Sequence, residues 1–190
     1  AGAVKLNSII ADGSGTVDIV SDAGIEIVDA FQKSGSGDVL LSAQGDITVG
    51  GDFENKSADN MTVSANNFTV DGAVTNDTGA TLTVNASSLT VNGGTSGDGS
   101  LLNAGDFSAT IQNDAYFENG ISLDGMGTEN SFSLDVGSLE FGAGADEEAW
   151  FGFFSNSLQN FELAIRKEDL NLSTVSVFNG ANSEVNANMS

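Results

Sequence analysis

An all-β chain wound as a parallel β-solenoid is the fold this sequence predicts, on three observations. Met61-Thr62-Val63 is followed seven residues later by Phe68-Thr69-Val70, and the pair returns 82 − 61 = 21 residues on as Leu82-Thr83-Val84 with Leu89-Thr90-Val91. Each triplet is apolar, Thr-like, apolar, which on a period-2 backbone sends its outer residues inward and its middle one to solvent. Gly, Asn, Ser and Thr are also too frequent for sustained helix.

Related pairs occur upstream, as Leu40 with Ile47-Thr48-Val49, and downstream, as Phe132-Ser133-Leu134 with Leu139-Glu140-Phe141. Looser ones start near Asp18 and Phe107. The starts at 18, 39–40, 61, 82, 107 and 132 define about six coils of 21–25 residues. A third short strand follows in most coils: Phe53-Glu54-Asn55, Val74-Thr75-Asn76, Leu101-Leu102-Asn103. Gly-rich stretches such as 93–99 sit between triplets, where corners need positive φ and loops can lengthen without disturbing the stack.

One coil cannot bury its own apolar residues, so coils must stack at about 4.8 Å, giving a rod of roughly 30 Å for six. The inward column on the second strand reads Ile25, Ile47, Phe68, Leu89 and Leu139, and the outward column Glu26, Thr48, Thr69, Thr90 and Glu140. Slipping the register by one residue would invert both columns. Repeats of this kind fill residues 1–145, with Ala1–Ile10 reading directly as strand, without a capping element ahead of it. Residues 146–190 form a distinct C-terminal cap or assembly segment, continuous with the solenoid. It opens on Trp150-Phe151-Gly152-Phe153-Phe154, and alternation resumes at Phe161–Ile165 and again from Leu170 to Phe178.

Composition narrows function. Five Lys and Arg against 27 Asp and Glu leave a net charge of −22, which repels nucleic-acid phosphates and anionic lipid headgroups. Nucleic-acid binding is excluded on that ground. The absence of any apolar run near the ~18 residues of a transmembrane helix argues against membrane insertion. Without His or Cys there is no imidazole relay, thiolate nucleophile, disulfide or zinc site of the usual kind. No basic leader precedes an apolar run at Ala1. With 24 Gly, no Pro and strong acidity, the profile is that of a chain exported by a bacterium and not an enzyme.

Residues 37–49 (Gly-Asp-Val-Leu-Leu-Ser-Ala-Gln-Gly-Asp-Ile-Thr-Val), and the apolar-x-Asn steps at Asn55, Asn76 and Asn103, resemble the degenerate repeats of filamentous-haemagglutinin-like adhesins and autotransporter passengers, over about residues 15–145. The resemblance implies a right-handed parallel β-helix at the bacterial surface, acting in adhesion, in biofilm structure or as a stalk. A carbohydrate-active β-helix, either a polysaccharide lyase or a glycan-binding module, is the alternative; it would need clustered carboxylates near a base or metal. The only cations are Lys5, Lys33, Lys56, Arg166 and Lys167, the last two beside Glu168-Asp169 as a solvated local pair.

Candidate sites are few. Trp150, Phe151, Phe153 and Phe154 are read as an assembly interface or as a cover for the last coil. Asp12, Asp98, Asp124 and Glu129 lie in Asp/Gly/Asn loops with oxygen donors suited to calcium, none of which completes an EF-hand. Asn-x-Ser/Thr sequons fall at Asn55, Asn60, Asn67, Asn76, Asn85, Asn171 and Asn188. The outward Thr48, Thr69 and Thr90 column has three rungs, too small a face for binding ice. Partners are then other copies of the chain, neighbouring domains of a longer adhesin, glycans or a cell surface.

Overall fold

In a computed structural model, residues 2–94, 99–123, 126, 130–142, 151–152, 160–166 and 185–189 are described, and they are all strand, turn or irregular, with no helix among them. The first coil holds β1 (Val4–Leu6) and β2 (Ile9–Ala11). The second and third hold three strands each: β3 (Val17–Ser21), β4 (Ile25–Ile27) and β5 (Phe31–Lys33), then β6 (Val39–Ala43), β7 (Ile47–Val49) and β8 (Phe53–Asn55). From the fourth coil the first two strands fuse across their corner, giving β9 (Met61–Val70) with β10 (Val74–Asn76), β11 (Thr81–Val91) with β12 (Leu101–Asn103), and β13 (Asp106–Phe117) with β14 (Ile121–Ser122). β15 (Ser131–Phe141), β16 (Phe151–Gly152), β17 (Asn160–Ile165) and β18 (Val185–Met189) complete the chain.

All pairings are parallel, and the stack is a β-solenoid of about six turns. β2, β5, β8, β10, β12, β14 and β16 form a seven-stranded sheet, and the first and second strands of the coils form an eleven-stranded one. The predicted columns are present: Ile25, Ile47, Phe68, Leu89 and Leu139 share one inward column, with Ala115 supplying the rung the triplet pattern missed. Their outward neighbours run Glu26, Thr48, Thr69, Thr90, Tyr116 and Glu140.

The coil length varies more widely than the sequence intervals suggest. Val74 pairs with Leu101, 101 − 74 = 27 residues on, because the chain from Val91 to Leu101 is longer than the corresponding link from Val70 to Val74. The register of β11 on β13 shifts between Ala86 and Leu89, and that of β13 on β15 between Ile111 and Asp114, so extra residues are absorbed at the bend between first and second strands.

The core is one continuous apolar column, from Ile25 to Ile165. Phe31 stacks on Phe53 at 5.0 Å between centroids, Phe53 meets Phe68 edge-on at 5.3 Å, and Phe107 stacks on Phe132 at 5.1 Å. Identical ring types repeat because each rung places the same position above the last. β16 pairs with β14 through Ile121 and Phe151, and β17 and β18 continue the first-strand column, so strands of the 146–190 segment extend the stack.

Candidate functional site

The third strand of each coil carries an interior polar column. Alternation buries the first and third residues of β5, β8, β10 and β12, so the register stacks Lys33, Asn55, Asn76 and Asn103 inside the rod, all of them buried. Asn55 Nδ2 donates to Asn76 Oδ1 at 2.9 Å and Asn76 Nδ2 to Asn103 Oδ1 at 2.7 Å, while Asn103 Nδ2 reaches Met126 Sδ at 3.4 Å. Each amide also satisfies a corner: Asn55 Oδ1 accepts from the Ala58 N–H, and the Nδ2 groups of Asn55, Asn76 and Asn103 donate to the carbonyls of Thr81, Asp106 and Gly105. No buried side-chain nitrogen or oxygen among the described residues is left without a partner, as a water-free interior requires.

Lys33 occupies the rung below Asn55. Its side chain is 0% exposed, and its Nζ donates to the carbonyls of Gly13 at 2.6 Å, Gly35 at 2.5 Å and Ser36 at 2.8 Å. The glycine corners of coils 1 and 2 are shaped around it. Gly35 and Gly37 have φ of +121° and +101°, and a Cβ on Gly35 would sit 2.8 Å from the Gly13 carbonyl oxygen.

Surface carboxylates serve a related purpose. Asp46 Oδ1 accepts from Asn67 Nδ2 at 2.7 Å, Asp71 Oδ1 from Asn92 Nδ2 at 3.0 Å, Asp38 Oδ1 from Asn60 Nδ2 at 3.0 Å and Asp106 Oδ1 from the Ser131 N–H at 2.7 Å. These bonds join a corner of one coil to the next. These four carboxylates therefore tie neighbouring coils together.

Of the sequence-derived metal residues, Asp12 is exposed on the corner after β2, and Asp98, Asp124 and Glu129 lie outside the described residues. Among the described residues no group of three or more acidic side chains is gathered as a metal site. Phe151 begins β16 in register with Ile121, a strand position within a coil, and Trp150, Phe153 and Phe154 lie outside the described residues. The sequons divide: Asn55 and Asn76 are buried in the ladder, so neither can accept a glycan in the folded chain, whereas Asn60 is exposed. Arg166 pairs with Asp135 of the preceding coil and also donates to the Ile111 carbonyl, and Glu168-Asp169, named from the sequence as its local partners, lie outside the described residues.

Among the described residues, the perturbed titration is that of Tyr116. Its hydroxyl donates to Glu118 Oε2, and that bond, then burial and the charges of Glu118 and Glu140, raise its pKa from 10.0 to about 12. A raised pKa means that the bond supports the fold fully below pH 10 and is lost as pH climbs through about 12. Tyr116 is the chain's single tyrosine, so phenolate absorbance reads it alone. The expected midpoint is near 12, falling toward 10 in Glu118→Ala; an unchanged midpoint in that variant would remove Glu118 as the cause.

No family model, curated protein or solved structure matches this chain.

Proposed function

We propose that the chain is a structural and adhesive rod module of an extracellular bacterial surface protein, and that its copies stack head to tail into a fibre. In this reading no side chain is catalytic. The observation that carries it is the arrangement of strand edges. Among the described residues, the first-strand column begins at β3, paired with β6, and ends at β18, paired with β17. Every pairing in that column is parallel, so β18 of one copy can add to β3 of the next in the same sense. Beneath the β1–β3 edge, Val4, Ile9, Val17 and Ile19 pack on the core but are only partly buried, an apolar edge that a further coil would cover. Contacts of this heterologous kind propagate without closing.

Electron microscopy of the purified chain in negative stain, with calcium and again with a chelator, tests the proposal. Fibres one solenoid wide are expected. Dispersed short rods under both conditions would overturn head-to-tail stacking, and fibres that require calcium would place a cation at the joint.

A further inference from the structure

The outward face of the first-strand column, like the Thr48, Thr69 and Thr90 column beside it, is built of polar, uncharged rungs. In register along it lie Thr62 and Ser64, Thr83 and Asn85, Ser108 and Thr110, two parallel columns of hydroxyl and amide groups. These positions fall before the corner shifts, so the array is unbroken, with rungs about 4.8 Å apart and its two columns roughly 6.6 Å apart. At the corners polar side chains are bonded from coil to coil; on this face none of these six bonds to another protein group among the described residues.

The face carries no charge along its middle. On a chain of −22, these columns hold no ionised group between Asp18 at one end and Glu162 and Asp135, the latter paired with Arg166, at the other. At the Asp18 end the polar array meets Val20, 61% exposed and one of three large apolar side chains so exposed among the described residues. Val20 sits diagonally beside Leu40. The face is thus rows of hydroxyls ending in a small apolar step.

We propose that this face binds a neutral polysaccharide, whose rings present hydroxyls at their rims and C–H groups on their faces. The inference rests on reading the chain as an adhesive module, and names what it adheres to. Two alternatives weigh less. A second copy of the chain would bury only about 250 Å² here, from three rungs about 4.8 Å apart and strands about 17 Å long, against the roughly 800 Å² per partner of a stable interface. An anionic polymer would meet Asp18 and a chain of −22 with no cation inside the array. A long neutral polymer needs neither a large area nor a counter-charge, because contacts at successive modules add through avidity.

Native electrophoresis of the full chain, in gels cast with hydroxyethylcellulose, dextran or galactomannan and, as control, alginate, tests this. Retardation in at least one neutral gel and none in alginate is expected, lost at least tenfold in Thr83→Asp/Thr110→Asp, whose melting temperature should match the parent's because both side chains face outward. Migration unaffected by every neutral polymer, equal retardation in alginate, or retardation undiminished in the double variant would each overturn the proposal. So would retardation that accompanies dimer in sedimentation, which would assign the face to a second copy. None of these outcomes bears on whether fibres form, so the stacking proposal is judged separately.

Discussion

Replacing Phe68 with aspartate is expected to abolish cooperative unfolding of the central coils. Phe68 is buried at the middle of the stack, edge-on to Phe53, in a column whose neighbours above and below are Ile47 and Leu89. Removing a buried phenylalanine alone costs about 3–5 kcal/mol. The new carboxylate would have no cation near, since the described Lys5, Lys33, Lys56 and Arg166 are all engaged elsewhere, and an unpaired buried charge adds several kcal/mol more. Together these rival the roughly 5–15 kcal/mol that holds a whole domain. Because each coil of a solenoid contacts only its neighbours, the damage should divide the rod, with fragments on either side keeping partial protection. Hydrogen exchange and far-ultraviolet circular dichroism would show it, with Phe68→Leu as the control, expected to lower the melting temperature by only a few degrees. An unchanged melt for the aspartate variant would place Phe68 outside the core and refute the register.

That register was legible because the apolar triplets obey two periods at once, alternation within a strand and recurrence at 21 residues between coils. Ile47, Phe68 and Leu89 declare themselves by both. The coil carrying Ala115 and Tyr116 escaped the pattern because alanine is a weak apolar signal and two register shifts displace it from the expected spacing. The interior polar column was legible in principle. If Phe31 faces inward, alternation sends Lys33 inward as well, and likewise Asn55 behind Phe53. What hides it is the chemistry of single residues: lysine and asparagine read as surface until something inside satisfies them, and the satisfying groups are carbonyls from other coils, such as Gly13 O and Thr81 O. The coil-to-coil bonds of Asp46, Asp71 and Asp106 were hidden for the same reason. The uncharged middle of the face is invisible to composition, since −22 is a property of the whole chain and the face is a property of two columns.

The second large effect is expected at Lys33, and its graded form separates the role of charge from that of shape. Lys33→Glu would bring a carboxylate against the Gly13, Gly35 and Ser36 carbonyls, acceptor facing acceptor with no donor between, and should unfold coils 1 and 2 outright. Lys33→Met keeps the length and apolar stem but strands those three acceptors; hydrogen bonds to charged donors contribute about 1.5–3 kcal/mol each. Gly13 and Ser36 lie on an exposed corner where water can replace part of what is lost, so a net loss of about 2–4 kcal/mol is the expected result. Lys33→Asn should be the mildest. The asparagine would stand on the rung below Asn55, where its Nδ2 can donate to Asn55 Oδ1 in the same sense as Asn55 donates to Asn76, and so lengthen the ladder by one step. The melting temperature should therefore fall in the order Lys33→Asn, Lys33→Met, Lys33→Glu. Hydrogen exchange should confine the loss of protection to the first coils, because the ladder from Asn55 to Asn103 closes its own hydrogen bonds without Lys33. If asparagine proved as damaging as methionine, the interior column would be a coincidence of rungs and not a continuous hydrogen-bonded strip.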